Sequence, residues 1–255
     1  MRAVFVGAAF PPLSFGEMPE LSFDQLASYI EENLSKKAQR GFQLLRLSID
    51  IENVRRYLLG EAIDSRGTLS EKELEEAILN DVFLPDYVGA FLGTYQDETD
   101  RASYFGLVLS DFYRITQGET TGFVRDYFAF ERSLRLVLTA YRMHALKGNL
   151  AKELQFEGPT DPLVAELLAA KDAPTFQFPY DFRDLEPILA AAGDDPMKQY
   201  IAMAKYRFTW IEHYPTGPLF SHDSILSYAM AHLLAEDVAS LDSQMGWKRM
   251  REAVA

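Results

Sequence analysis

Seven apolar residues, Phe123, Tyr127, Phe130, Leu134, Leu138, Tyr141 and Ala145, recur at steps of three or four. That spacing lines one face of an α-helix. It predicts a helix over 123–147, closed by Gly148. An amphipathic helix of this length must bury its stripe against other elements, and the rest of the chain offers helices for the purpose.

Helix start signals recur along the sequence. Ser22 with Gln25 reads as a capping box opening a helix at 23–33, and a second helix runs from about 35 to Gly60. Ser70 with Glu73 repeats the signal, with Glu71, Glu73, Glu75 and Glu76 crowding the positive end of the helix dipole. Pro85 suits the first position of a helix over 85–93. Further helices are expected at 101–117, 162–171, 184–192, 196–213 and from Ser221 to about 245, with a terminal turn at 247–253. Phe176, Phe178, Tyr180 and Phe182 alternate like a strand, but Pro179 argues against a central one, and the segment reads as extended. Ala3–Gly7 alone reads as a short strand or extended arm. Without a βαβ rhythm, the fold class is all-α, a multi-helix bundle. The chain reads as a single all-α unit, 1–255, with lobes at 1–96, 97–172 and 173–255.

Charge narrows the function. The net charge is −13, and a nucleic-acid surface needs concentrated positive charge, so DNA and RNA are poor partners. The absence of cysteine excludes disulfides, thiolate catalysis and Cys-ligated zinc, and fits a reducing cytosol. No stretch is long and apolar enough to span a bilayer, and MRAVFVGAAFPP is a poor signal peptide. The expectation is a cytoplasmic protein that meets a membrane through partners and does not insert.

Residues that carry chemistry are sparse. His144, His213, His222 and His232 stand too far apart for a helical metal pair. Asp194-Asp195 resembles the aspartate pairs of metal-dependent all-α enzymes, yet Pro196 follows, so a helix cap is the favoured reading. Asp97, Glu98 and Asp100 lack the ligand ladder of a calcium loop. No phosphate-binding glycine cluster or nucleophile elbow occurs. The expectation is no catalytic residue, no metal and no cofactor.

Two polar constellations remain. The helix LLRLSIDIENVRRYLLG sets Leu44, Leu47, Ile51, Val54 and Leu58 on one face and leaves Asp50, Asn53, Arg55 and Arg56 on the others. These four are candidate partner-docking residues; Asp50 and Asn53 could instead hydrogen-bond a neighbouring loop. The second constellation is a basic helix between acidic segments. Residues 50–100 hold 13 acids and 4 bases, residues 150–200 hold 10 and 4, and 119–148 is net +2. Arg132 and Arg135 there either neutralise the acids internally or dock an acidic partner.

The segment IDIENVRRYLLG resembles the recurrent D-x-x-N helix of the funnel-shaped C-type subunit of V-type (archaeal and vacuolar-like) rotary ATPases, through Asp50, Asn53, Val54 and Leu58. Three further stretches resemble a small family encoded in V-type ATPase operons of chlamydiae, spirochaetes and bacteroidetes, in place of an ordinary C-type subunit. They are VFVGAAFPPL, the L-S-F-x-x-L of Leu21, Ser22, Phe23 and Leu26, and ILSYAMAHLLAEDVASLDSQMGW at 225–247. One clear D-x-x-N copy is present here; the second long helix offers Phe130-Glu131-Arg132-Ser133-Leu134 instead of another. The resemblance implies an all-helical, non-catalytic coupling component of the central stalk. Its partners would be the other ATPase subunits, including the membrane rotor ring. The rival readings are a free-standing α-helical adaptor and, behind it, a metal-dependent all-α enzyme.

Overall fold

The computed structural model describes residues 10–80, 82–217 and 221–241. These residues form twelve α-helices and one 3₁₀ turn, with no strand among them. The protein is all-α. The expected arm at Ala3–Gly7 and the turn at 247–253 lie outside the described residues.

The helices are α1 (Phe23–Asn33), α2 (Lys36–Leu58), α3 (Glu71–Asn80), α4 (Asp86–Thr94), α5 (Glu98–Tyr104), α6 (Gly106–Glu119), α7 (Phe123–Leu146), α8 (Leu150–Glu153), α9 (Pro162–Ala169), α10 (Leu185–Ala192), α11 (Pro196–Glu212) and α12 (His222–Ala239). Their starts follow the sequence signals. Ser22 and Gln25 cap α1 reciprocally, and Asp161, Asp195 and Ser221 cap α9, α11 and α12 through their side chains. Pro85 sits one residue earlier than expected, at the N-cap of α4. The expected helix at 101–117 is two. Asp97 accepts from Thr99 N at 2.8 Å, which starts a helix among the acidic residues Asp97, Glu98 and Asp100, and the helix breaks at Phe105 before α6. The segment 176–182 ends in the 3₁₀ turn Tyr180–Phe182.

Tertiary contacts divide the chain into two compact units. One comprises the described residues up to Phe42 together with those from Ile188; the other is Gln43–Pro187.

In the first unit, α11 and α12 pair and α1 packs on α12. Tyr228 of α12 donates its hydroxyl to the Pro11 carbonyl at 2.8 Å and stacks on Phe10. Burial, with the nearby Glu20 carboxylate, pushes that hydroxyl up to about 12, so it stays a donor at neutral pH. One turn later, buried His232 donates from Nε2 to the Leu21 carbonyl at 2.8 Å. Phe23 lies against the His232 ring.

The second unit is built around α7. Phe123, Tyr127, Phe130, Leu134 and Leu138 are buried as the stripe requires. Tyr141 is half-buried and Ala145 exposed, so the stripe runs out before the helix does. Val124, Phe128, Leu136, Val137 and Ala140 are buried as well, because α6 covers one side of α7 while α8 and α9 cover another. Leu136 and Ala140 join Leu150, Leu154, Val164 and Leu167 in one cluster. Each fully buried large side chain of this kind contributes about 1.5–3 kcal/mol.

Candidate functional site

Helix α2 presents Arg46, Asp50 and Asn53 at steps of four and three, a polar stripe with the period of a buried one. What covers it is the loop that follows the helix. Asp50 accepts from the backbone N–H of Thr68 at 2.9 Å and of Leu69 at 3.2 Å, and from the Thr68 hydroxyl. Asn53 makes two bonds with Asp64, donating to its carbonyl and accepting from its N–H, each at 2.8 Å. Arg46 donates to the Arg66 carbonyl at 3.1 Å and to the Gly67 carbonyl. Gly67 is required: a Cβ there would lie well inside van der Waals contact of Asp50 Oδ1 and 3.2 Å from Asn53 Nδ2.

Asp50 and Asn53 are therefore fully buried: of the two readings, hydrogen bonding to a neighbouring loop is the one the geometry realises, and the exposed docking role is corrected. The physical reason is local. Two backbone N–H groups and a hydroxyl satisfy the carboxylate, and the Asn53 amide matches a peptide group. Burial nonetheless pushes the Asp50 carboxyl above the usual carboxylate range, against the bonds from Thr68 and Leu69 and the charge of Arg46. For Asp64, burial also works upward, but the Arg66 side-chain and backbone bonds, with the charges of Arg66 and Arg56, hold it below its ordinary value.

Arg55 and Arg56 remain at the surface, their side chains 38% and 36% exposed, both beside Glu52. Arg55 reaches Glu52 at 2.6 Å. Of the docking candidates on α2, these two are placed to meet a partner.

Arg132 and Arg135 on α7 converge on Glu157, whose side chain is 3% exposed. Arg132 reaches Glu157 at 2.6 Å and Asp161 at 2.8 Å, while Asp161 also caps α9. Arg135 bonds the other Glu157 oxygen, and its guanidinium lies 5.7 Å from the Tyr113 ring centroid. The pair is inward-facing, which corrects its reading as an exposed contact surface. Of the two alternatives, internal neutralisation is the one the geometry realises. Glu157 and Asp161 sit in a turn between proline-broken segments, and no period in the sequence marks them as partners of α7.

Beside this cluster lies a cleft of about 510 Å³, lined by Ser110, Asp111, Arg114, Gln117, Arg132 and Asp161 among others. Gln117 Nε2 is buried there without a partner. A second cleft of about 620 Å³ opens where α7 ends, with His144, Lys147, Lys171 and Phe176 in its wall. His144 donates to the Ala173 carbonyl at 2.9 Å, His213 Nδ1 lies 2.8 Å from Thr209 O in its own helix, and His222 lies 3.4 Å from Ser35 Oγ. Asp195 caps α11, and Asp194 is exposed. Among the described residues no three His, Asp or Glu side chains gather so as to hold a metal ion. No described helix is long and apolar enough to cross a membrane.

The site is thus a helix–loop clasp and a buried ion cluster in an all-α chain of two units. Over residues 1–255 the chain belongs to the family described as "Protein of unknown function (DUF2764)". It is 25% identical to an uncharacterized protein of Chlamydia trachomatis, covering 92% of this chain and 90% of that protein. It is 28% identical to an uncharacterized protein of Chlamydia pneumoniae, covering 92% and 91%. No solved structure matches it.

Proposed function

We propose that this protein is a non-catalytic coupling component of a bacterial V-type rotary ATPase, in the central stalk between the membrane rotor ring and the soluble head. The observation that carries the reading is the Asp50–Asn53 helix, through which the chain resembles the C-type subunit of such ATPases. Its two motif residues clasp the loop after the helix and make helix and loop one rigid element. A part that transmits torque needs such elements more than it needs a cleft.

A second observation supports it. Three stretches that resemble the operon-encoded family, at 4–13, 21–26 and 225–247, come together in one unit where they are described. Tyr228 and His232 of the last bond the backbone of Pro11 in the first and Leu21 in the second. Motifs far apart in sequence that bond one another read as one structural module. The relatives come from Chlamydia, one of the groups in which the resembling family is encoded. In this reading the protein is cytoplasmic and peripheral, held at the membrane through the complex.

Native purification through a tag on this chain tests the proposal. The catalytic and stalk subunits of the ATPase should co-purify in fixed ratio. A chain that purifies without them under mild detergent, beside an otherwise intact ATPase, defeats it and leaves the free-standing adaptor.

A further inference from the structure

The junction of α3 and α4 exposes three apolar side chains within five residues. Leu79 is 72% exposed, Phe83 67% and Val82 37%. Phe83 has φ = +64°, and Leu84 N donates across it to Val82 O at 2.8 Å, closing a three-residue turn. A bulky residue at positive φ is a genuine outlier, and folding alone favours glycine or asparagine there. The turn holds an aromatic ring in water where the backbone resists it. Strain retained in this way marks a position kept for something other than stability. Exposed aromatic anchors of this kind form the centres of protein interfaces.

The surroundings choose the occupant. Glu71, Glu73, Glu75 and Glu76 on α3 and Asp86 at the start of α4 are exposed, and the base among the described residues of this segment is Lys72. An anionic lipid surface or a nucleic acid is repelled by such a rim. A second copy of this face would bring the same carboxylates against each other. A cationic partner with an apolar stripe is matched on both counts.

We propose that Leu79, Val82 and Phe83, with the exposed carboxylates of Glu75 and Glu76 one turn before Leu79, dock a basic amphipathic helix of another protein. This surface uses none of the α2 arginines, and its assignment does not depend on the coupling role.

The test uses the full chain and a fluorescent 20-residue peptide with leucines at helical spacing and lysines and arginines elsewhere. Its control is a scrambled peptide of the same composition. Anisotropy should show the periodic peptide binding at least tenfold more tightly than the scrambled one. Phe83→Asn and Leu79→Ser should each weaken binding about tenfold. Asparagine suits the positive φ, so circular dichroism and the thermal midpoint of Phe83→Asn should be unchanged or improved. Glu75→Lys/Glu76→Lys should also weaken binding, and Glu32→Lys/Glu186→Lys, two exposed carboxylates of the other helices, should not. Equal affinity for both peptides, or equal affinity in wild type and Phe83→Asn, overturns the proposal. Self-association in sedimentation velocity that Phe83→Asn abolishes also overturns it, by assigning the surface to a second copy.

Discussion

Asp50 and Thr68, 18 residues apart, are joined by three hydrogen bonds: the Thr68 N–H lies 2.9 Å and 3.0 Å from the two carboxylate oxygens, and its hydroxyl donates to one of them. The carboxylate does for the loop what an N-cap does for a helix, collecting donors that would otherwise be buried unpaired. Closing the loop on the helix in this way leaves Gly67 no room for a side chain.

Asp50→Ala should therefore destabilise the protein by about 3 kcal/mol, since two backbone donors and a hydroxyl lose their acceptor inside the structure. Gly67→Ala should cost about 1–3 kcal/mol through the clash with the same carboxylate. Urea titrations check both: the midpoint falls while the slope stays that of wild type. A loss near zero for either variant means the clasp is ornamental to the fold.

The two carboxylates of the clasp should respond to pH with opposite signs. Asp50 has a folded pKa raised above its unfolded value, so the folded state binds the proton more tightly. Its contribution improves as pH falls from neutral through the folded pKa towards the unfolded one. Asp64 has a folded pKa lowered below its unfolded value, so its contribution is present at neutral pH and is lost as pH falls through the folded pKa. Measured by urea unfolding between pH 7 and pH 4, wild type should gain on Asp50→Asn as the pH drops. Over the lower part of an acid titration the deficit of Asp64→Asn should shrink. Parallel curves for wild type and Asp50→Asn would show that Asp50 is not held in a costly charged state.

Much of the fold was legible because its signals are local. The capping boxes, the Asp-Pro starts and the apolar stripe of α7 each act within a few residues, and each placed an element. Phe105 was not legible in the same way. The apolar spacing of Phe105, Val108, Phe112 and Ile115 begins at the break between α5 and α6, and the polar residues before it carry no stop signal that separates a first helix from a second. At the polar sites the sequence offered both an inward and an outward reading and could not choose between them. A helical stripe of Arg46, Asp50 and Asn53 looks solvent-facing until a loop with its own unpaired N–H groups is laid over it, and that loop has no periodicity to announce it. Glu157 itself was missed: its partners lie 22 and 25 residues back, on a basic helix whose internal neutralisation was one of two readings with no acid named for it.

Glu157→Gln should be among the more damaging single substitutions in the second unit. It leaves Arg132 with Asp161 alone and removes the anion that Arg135 faces, and both arginine side chains are largely buried. Breaking one side of a buried ion pair typically costs about 3–5 kcal/mol. A double-mutant cycle with Arg135→Met separates the stranded charge from the pair itself. The double variant should be more stable than Glu157→Gln alone, because the uncompensated cation is gone. Strict additivity in that cycle would mean the two side chains do not share their energy.

Reversal of Arg55 and Arg56 discriminates between a structural and a docking role for the outer face of α2. Both side chains are more than a third exposed and pair with Glu52 across one turn, an arrangement that contributes at most about 1 kcal/mol. Arg55→Glu/Arg56→Glu should therefore leave the helical circular dichroism intact and lower stability by about 1 kcal/mol. If this face meets the stalk, recovery of ATPase subunits on the tagged chain should fall about tenfold, and more steeply at low salt, where charge repulsion is least screened. Arg132→Glu/Arg135→Glu serves as the contrast: it should lose the partners only by unfolding, since both side chains point into the Glu157 cluster. Undiminished recovery with the α2 pair reversed would move the docking surface elsewhere on the chain.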